Sequence, residues 1–170
     1  LSQNMYEQAV ELGAQVRFEE VRELTLEGER KRALTSGGEY ESRAVILANG
    51  AKRRHLGCPG EEEFAGRGVS YCATCDGAFF KGKDVVLVGG GNTALEDALY
   101  LAKICGSVTL VHRRESFRGE RRLAKAVQGH PNIRILYNAT VTEIRGDETV
   151  NAVLIKDGKT GTVTPVGASA

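Results

Sequence analysis

Residues 85–101 read VVLVGGGNTALEDALYL: an apolar run, three glycines, then apolar residues at helical spacing. The run over 83–88 predicts a buried strand. Ala94, Leu95, Ala98, Leu99 and Ala102 fall on one stripe and predict a helix over 92–104. A strand that turns through glycine straight into a helix is the first half of a βαβ unit, which confines the chain to α/β architectures. The pattern continues with a strand at 108–111, a shorter helix at 121–127 and a third strand at 133–137. Two further segments, 139–145 and 152–156, are flanked by Gly146-Asp147 and Asp157-Gly158, which read as turns. The expected fold is a Rossmann-like βαβαβ unit carrying a β-meander.

Upstream the organisation differs. Residues 4–12 predict a helix stopped by Gly13, and 16–20 a short strand. Segments 21–27, 31–35 and 39–43 predict a small antiparallel ribbon turning at Gly37-Gly38. AVILANG at 44–50 reads as a buried strand. Residues 51–68 mix glycine, proline and charge without periodicity, as linkers do, and Glu61 to Glu63 read there as a solvated face. The expected division is a first segment over 1–51, a linker over 52–66, a domain over 67–160 and a frayed tail over 161–170.

Hydrophobic residues make up 41% of the chain and charged residues 26%, with a net charge of +1. That balance gives no reason to expect a nucleic-acid or membrane partner. No apolar run approaches the roughly 20 residues of a membrane-spanning helix. The start of the sequence shows no basic-then-apolar pattern; the chain is large enough to build a core without disulfide staples, so the expected compartment is cytoplasmic. The chain does not begin with methionine, and it is expected to start partway through a larger protein.

The glycine turn, Gly89-Gly90-Gly91-Asn92-Thr93-Ala94, fits G-x-G-x-x-A. Gly89 permits the tight turn, Gly91 lets the backbone approach a pyrophosphate, and Ala94 allows close helix–strand packing. The N–H groups from Asn92 onward would face the anion. NAD sites usually carry an acidic residue about 20 positions on, against the ribose hydroxyl. Here the second strand ends in His112-Arg113-Arg114, with Arg118 close behind. Guanidinium groups without a carboxylate suit a 2′-phosphate and favour NADPH over NADH. Arg121 and Arg122 fit a solvated helix face.

Four cysteines are present, and Cys58 and Cys105 read as unpaired. Cys72 and Cys75 are spaced to close a small disulfide ring. At the start of a helical turn, backbone dipoles would lower the thiolate pKa of the exposed cysteine. Asp76 follows and could shuttle a proton as one thiol leaves. Half of a zinc site is the competing reading, but a structural zinc needs four ligands and no second C-x-x-C exists, so no metal is expected.

The stretch GRGVSYCATCDGAFFKGKDVVLVGGGNTALEDALYLAKICGSVTLVHRRESFRGERRL, residues 66–123, resembles the bacterial-type, low-molecular-weight thioredoxin reductases. CATCDG, GGGNTA and HRRESFR occur in that family's order. The resemblance implies a homodimeric flavoenzyme in which NADPH reduces FAD, FAD reduces a cysteine pair, and the pair reduces thioredoxin. Carried over, Cys72 would attack the thioredoxin disulfide, Cys75 would lie next to the flavin, and Asp76 would be the general acid/base. Gly89 to Ala94 would cradle the pyrophosphate, and His112, Arg113, Arg114 and Arg118 would surround the 2′-phosphate. Gly50 would close a cofactor-binding strand end, where the family's A-T-G is Ala48-Asn49-Gly50 here. A second G-x-G-x-x-G and a C-terminal Gly-Asp segment, which serve FAD in the family, are absent. Residues 1–51 therefore resemble a remnant of an FAD-binding domain, and the chain by itself is expected to bind NADPH without turnover. The alternatives are a flavoprotein reductase serving a peroxiredoxin and a non-catalytic dinucleotide-binding module.

Overall fold

A computed structural model describes residues 2–50, 52 and 54–170. Ala51 and Arg53, in and beside the stretch expected to be a linker, lie outside the described residues. The chain divides into two compact units, residues 1–51 and 52–170.

In the first unit, helix α1 (Ser2–Glu11) precedes an antiparallel ribbon of β1 (Val21–Thr25), β2 (Lys31–Thr35) and β3 (Glu39–Ser42) in the order β1-β2-β3. The ribbon and its Gly37-Gly38 turn are as the sequence predicts. Residues 16–20 form no strand; Glu19 instead accepts hydrogen bonds from Thr35 Oγ1 (2.5 Å) and Tyr40 Oη (2.9 Å). Residues 44–50 depart further from expectation. They form no strand, and Ile46 is 92% exposed. Apolar composition marks a segment that can be buried; burial also needs neighbouring strands, and no described strand pairs with this one.

The second unit begins with irregular chain and reaches the four-residue helix α2 (Ala73–Asp76), which continues as a 3₁₀ turn over Gly77–Phe80. Then follow β4 (Asp84–Val88), α3 (Asn92–Leu101), β5 (Ser107–His112), α4 (Arg121–Gln128) and β6 (Ile133–Tyr137). β4, β5 and β6 form a parallel sheet in sequence order, with Val85 opposite Val108 and Val108 opposite Ile133. β7 (Ala139–Gly146), β8 (Val150–Asp157) and β9 (Val163–Gly167) form an antiparallel meander.

Alternation along the parallel strands divides the core in two. Val85, Val108, Leu110 and Ile133 pack with Leu95, Ala98 and Val127 from α3 and α4. Val111, with Val86 and Leu136 beside it, packs against Ile144, Val153 and Ile155 of the meander. The sheet is thus covered on both faces, as parallel sheets require.

Two expectations fail at the edges of this unit. The stretch expected to be a linker contributes Phe64, only 2% exposed, to the meander core, and Ile144 N–H donates to Pro59 O at 2.9 Å. Glu61, expected in solvent, is likewise 2% exposed. The tail expected to fray is ordered by pairing. Residues 163–167 form β9, Ala168 is buried, Ser169 N–H donates to Asp84 O, and Val86 N–H donates to Ala170 O. Small polar composition suggested fraying, whereas the edge of β4 offered backbone partners that composition cannot reveal.

Candidate functional site

The glycine turn and the cysteine pair are both built on α3. At its N-terminal end, Gly89 lies so close to Ala94 that any Cβ on Gly89 would overlap the Ala94 Cβ. This is the close strand–helix approach expected of G-x-G-x-x-A. Gly91 caps the helix, and a Cβ built there meets nothing within 4 Å, which leaves room for a ligand. At the other end, Gly77 packs on Tyr100, Leu101 and Ile104 and seats the redox motif. The helix has 10 residues, so its two ends are separated by about 15 Å at 1.5 Å per residue.

The loop after β5 folds back over the glycine turn. Gly90 O accepts from Arg118 N–H (2.8 Å) and Gly119 N–H (3.1 Å). Asn92 Oδ1 accepts from Glu120 N–H at 2.8 Å, and Asn92 Nδ2 donates to Glu120 Oε1 at 3.3 Å. The Asn92 side chain therefore holds the loop, while the Thr93 side chain is exposed. Arg113, Arg114 and Arg118 are exposed, and among the described residues none has a carboxylate within ion-pair distance.

His112 is placed differently. It is buried, its ring lies against Gly90, and its Nε2 donates to Ser116 O at 2.9 Å. Phe117 and Tyr137 pack around it, with ring centroids 5.3 and 6.5 Å away. The imidazole packs against the glycine turn, while the arginines are exposed. The run HRRESFR gives no cue that its first residue turns inward; its packing against Gly90 decides that.

Cys72 and Cys75 form a disulfide. Cys72 is the N-cap of α2, its Sγ accepting from Cys75 N–H at 3.3 Å. Cys75 is exposed and Cys72 half-buried. Asp76 N–H donates to Cys72 O at 3.1 Å, and an Asp76 carboxylate oxygen accepts from Ser70 Oγ at 2.5 Å. Ser70 and Asp76 line a cleft of about 330 Å³ with Phe79, Phe80 and Lys83. Cys58 and Cys105 are free thiols, as predicted; burial pushes both thiols up in pKa, with the Glu61 charge adding to the effect on Cys58.

A buried acid that the sequence did not flag stands behind the redox segment. Glu61 accepts from Leu56 N–H (2.9 Å), Gly57 N–H (2.7 Å) and Tyr71 Oη (3.0 Å), with His55 Nδ1 at 3.7 Å. Burial alone would raise its pKa, but these donors and the nearby imidazole outweigh it and hold the carboxyl below its ordinary value. Gly50 belongs to the first unit and takes a left-handed φ of +69°. Among the described residues no group of three His, Cys, Asp or Glu side chains could hold a metal. None of the helices described is long and apolar enough to cross a membrane.

Open space at Gly91, a ten-residue helix behind it and three unpaired arginines fit a dinucleotide phosphate. No comparable glycine cradle for a flavin is assembled among the described residues, and residues 44–50 form no strand to carry one.

Relatives match this chain along nearly its whole length. It is 44% identical over 160 residues to a thioredoxin reductase of Treponema pallidum, covering 94% of this chain and 52% of that protein. It is 45% identical over 161 residues to one from Mycolicibacterium smegmatis, covering 95% and 52%. Among solved structures, thioredoxin reductase from Giardia duodenalis superimposes with a TM-score of 0.85 at 37% identity, covering 99% of this chain and 55% of that one. The chain spans about half the length of the curated relatives it matches. The Rossmann-type α/β fold is thereby shared with solved relatives. The sequence model described as "Pyridine nucleotide-disulphide oxidoreductase" matches residues 3–168. The chain belongs to the pyridine nucleotide-disulphide oxidoreductase family.

Proposed function

We propose that this chain is the nucleotide and redox-disulfide region of an NADPH-dependent thioredoxin-disulfide reductase. The observation that carries the reading is the placement of a disulfide and a dinucleotide turn at opposite ends of one helix, α3. NADPH, when bound, supplies a hydride. The chain's own residues bind and orient it: the Gly89–Ala94 turn receives the pyrophosphate, and Arg113, Arg114 and Arg118 receive the 2′-phosphate. In the whole protein FAD would carry electrons onward, as in the family the sequence resembles. Among the described residues no flavin site is brought together.

The thiol chemistry belongs to the chain itself. Reduced Cys72 attacks the partner disulfide, and a mixed disulfide forms. Cys75 then attacks Cys72 Sγ and releases the partner as a dithiol. Asp76 moves the protons that this exchange requires. In this reading residues 1–51 are part of an FAD-binding domain, residues 67–160 are the NADPH-binding domain, and the whole protein is a cytoplasmic homodimer.

The test is to reduce the chain, remove reductant and mix it with oxidised thioredoxin. Thioredoxin should gain two thiols as Cys72 and Cys75 lose theirs. Thioredoxin that stays oxidised while a peroxiredoxin-type disulfide carrier is reduced would overturn the partner assignment. In parallel, NADPH should bind the chain without flavin, and an absence of binding would overturn the nucleotide assignment.

A further inference from the structure

We infer that Ser70 is a positioning residue that holds Asp76 against the Cys72–Cys75 pair during thiol exchange. The inference rests on the redox role proposed above. Its hydroxyl does two things at once. It donates to an Asp76 carboxylate oxygen at 2.5 Å and accepts the Cys72 N–H at 3.1 Å. A serine that accepts from the amide two residues on is a local motif that fixes its own rotamer. At 2.5 Å the bond is at the short end for a hydroxyl donor. One side chain thus ties the acid to the backbone of the half-buried cysteine.

The frame on either side is rigid. Tyr71, next in sequence, donates its hydroxyl to buried Glu61 at 3.0 Å. Gly77, after Asp76, is packed on Tyr100, Leu101 and Ile104. Among the described residues no other side chain bonds the Asp76 carboxylate, and Lys83, which lines the same cleft, makes no ion pair with it. Without Ser70 the Asp76 carboxyl, which lines the cleft, would lose its tie to the Cys72 amide and be free to change rotamer. A general acid acts only within hydrogen-bond reach of its target, so this rotation costs rate before it costs stability.

The step in which this matters can be written for an external dithiol. Its thiolate attacks one sulfur of the Cys72–Cys75 disulfide; the S–S bond breaks, a mixed disulfide forms, and the other cysteine leaves as a thiolate. The Asp76 carboxyl gives that thiolate a proton. The second thiol of the reagent then passes its proton to the Asp76 carboxylate and attacks the mixed disulfide. The remaining cysteine is released and takes a proton from water. The cysteine pair has gained two electrons and two protons, the reagent has become a disulfide, and Asp76 is restored.

The experiment follows reduction of the 170-residue chain by dithiothreitol, quenched with acid and counted as free thiols by mass. Ser70→Val should slow reduction about tenfold, a fraction of the roughly 10²–10⁴-fold that a positioned acid contributes. Ser70→Thr, of matched volume and with the hydroxyl kept, should stay near the wild-type rate. In an Asp76→Asn background, Ser70→Val should change nothing further. Equal rates for the Val and Thr variants would overturn the inference. So would an undiminished effect of Ser70→Val in the Asp76→Asn background, since that would reveal a merely structural role. Dithiothreitol needs no nucleotide, flavin or thioredoxin. A failure to reduce thioredoxin would therefore count against the proposed function alone.

Discussion

Arg113, Arg114 and Arg118 owe their binding capacity to what they lack. An arginine already committed to a carboxylate would have to break that bond to receive a phosphate, whereas these three are exposed and unpaired among the described residues. Arg113→Ala should raise the Kd for NADPH about tenfold, in line with loss of one hydrogen bond to a charged group. The Kd for NADH should be unchanged, and calorimetric titration of both nucleotides distinguishes the cases. Equal losses would move Arg113 from the 2′-phosphate to a part common to both. The cysteines separate in the same way. Cys58 and Cys105 are shielded, with thiols pushed up by burial, so iodoacetamide at neutral pH should label them slowly. Prior reduction should add two fast-labelling thiols, Cys72 and Cys75, visible by mass.

Short connecting segments carry more of this structure than their composition suggests. The stretch around Glu61 holds four groups with one buried carboxylate. Glu61→Ala would leave the Leu56 and Gly57 N–H groups and the Tyr71 hydroxyl without that acceptor, and should destabilise the second unit by roughly 2–4 kcal/mol in urea unfolding. The same bonds set a pH dependence. The folded-state pKa of Glu61 is lowered from an ordinary value of 4.5, so its contribution is fully present above that value. It is lost as pH falls through the depressed folded value. Wild-type stability should therefore drop in that acidic window more steeply than that of Glu61→Gln, which has no charge to lose. Parallel acid titrations of the two proteins would undercut this account of Glu61 electrostatics. At the glycine turn, Gly89→Ala drives a methyl group into Ala94. The expected cost is about 1–3 kcal/mol from overpacking, with weakened NADPH binding.

Taken whole, the two units differ in how much of their apolar surface they cover. The parallel sheet of the second unit is enclosed by helices on one face and the meander on the other. In the first unit Leu12, Phe18 and Ile46 are 89%, 90% and 92% exposed. Amide hydrogens of β5 should exchange only with unfolding of the second unit, and those of residues 44–50 rapidly, which exchange mass spectrometry resolves by segment. Slow exchange over 44–50 would mean that this segment finds pairing partners in solution. Local pattern was enough to read the βαβαβ order, the first two strands of the meander, the glycine turn and the C-x-x-C, because in each of these neighbours along the chain set the geometry. It could not read the inward turn of His112, the burial of Glu61 or the pairing of residues 168–170. Each of these depends on groups distant in sequence: Gly90 against an imidazole, Tyr71 against a carboxylate, the edge of β4 against the chain end. It also misread residues 44–50, since hydrophobicity states a preference for burial while only tertiary neighbours can provide it. Sequence alone thus determined which chemistry the chain carries, a dithiol and a dinucleotide turn. Tertiary structure decided their arrangement on the two ends of α3, with Ser70 and Glu61 behind the cysteines, because packing and hydrogen bonding across sequence distance are not encoded in any single segment.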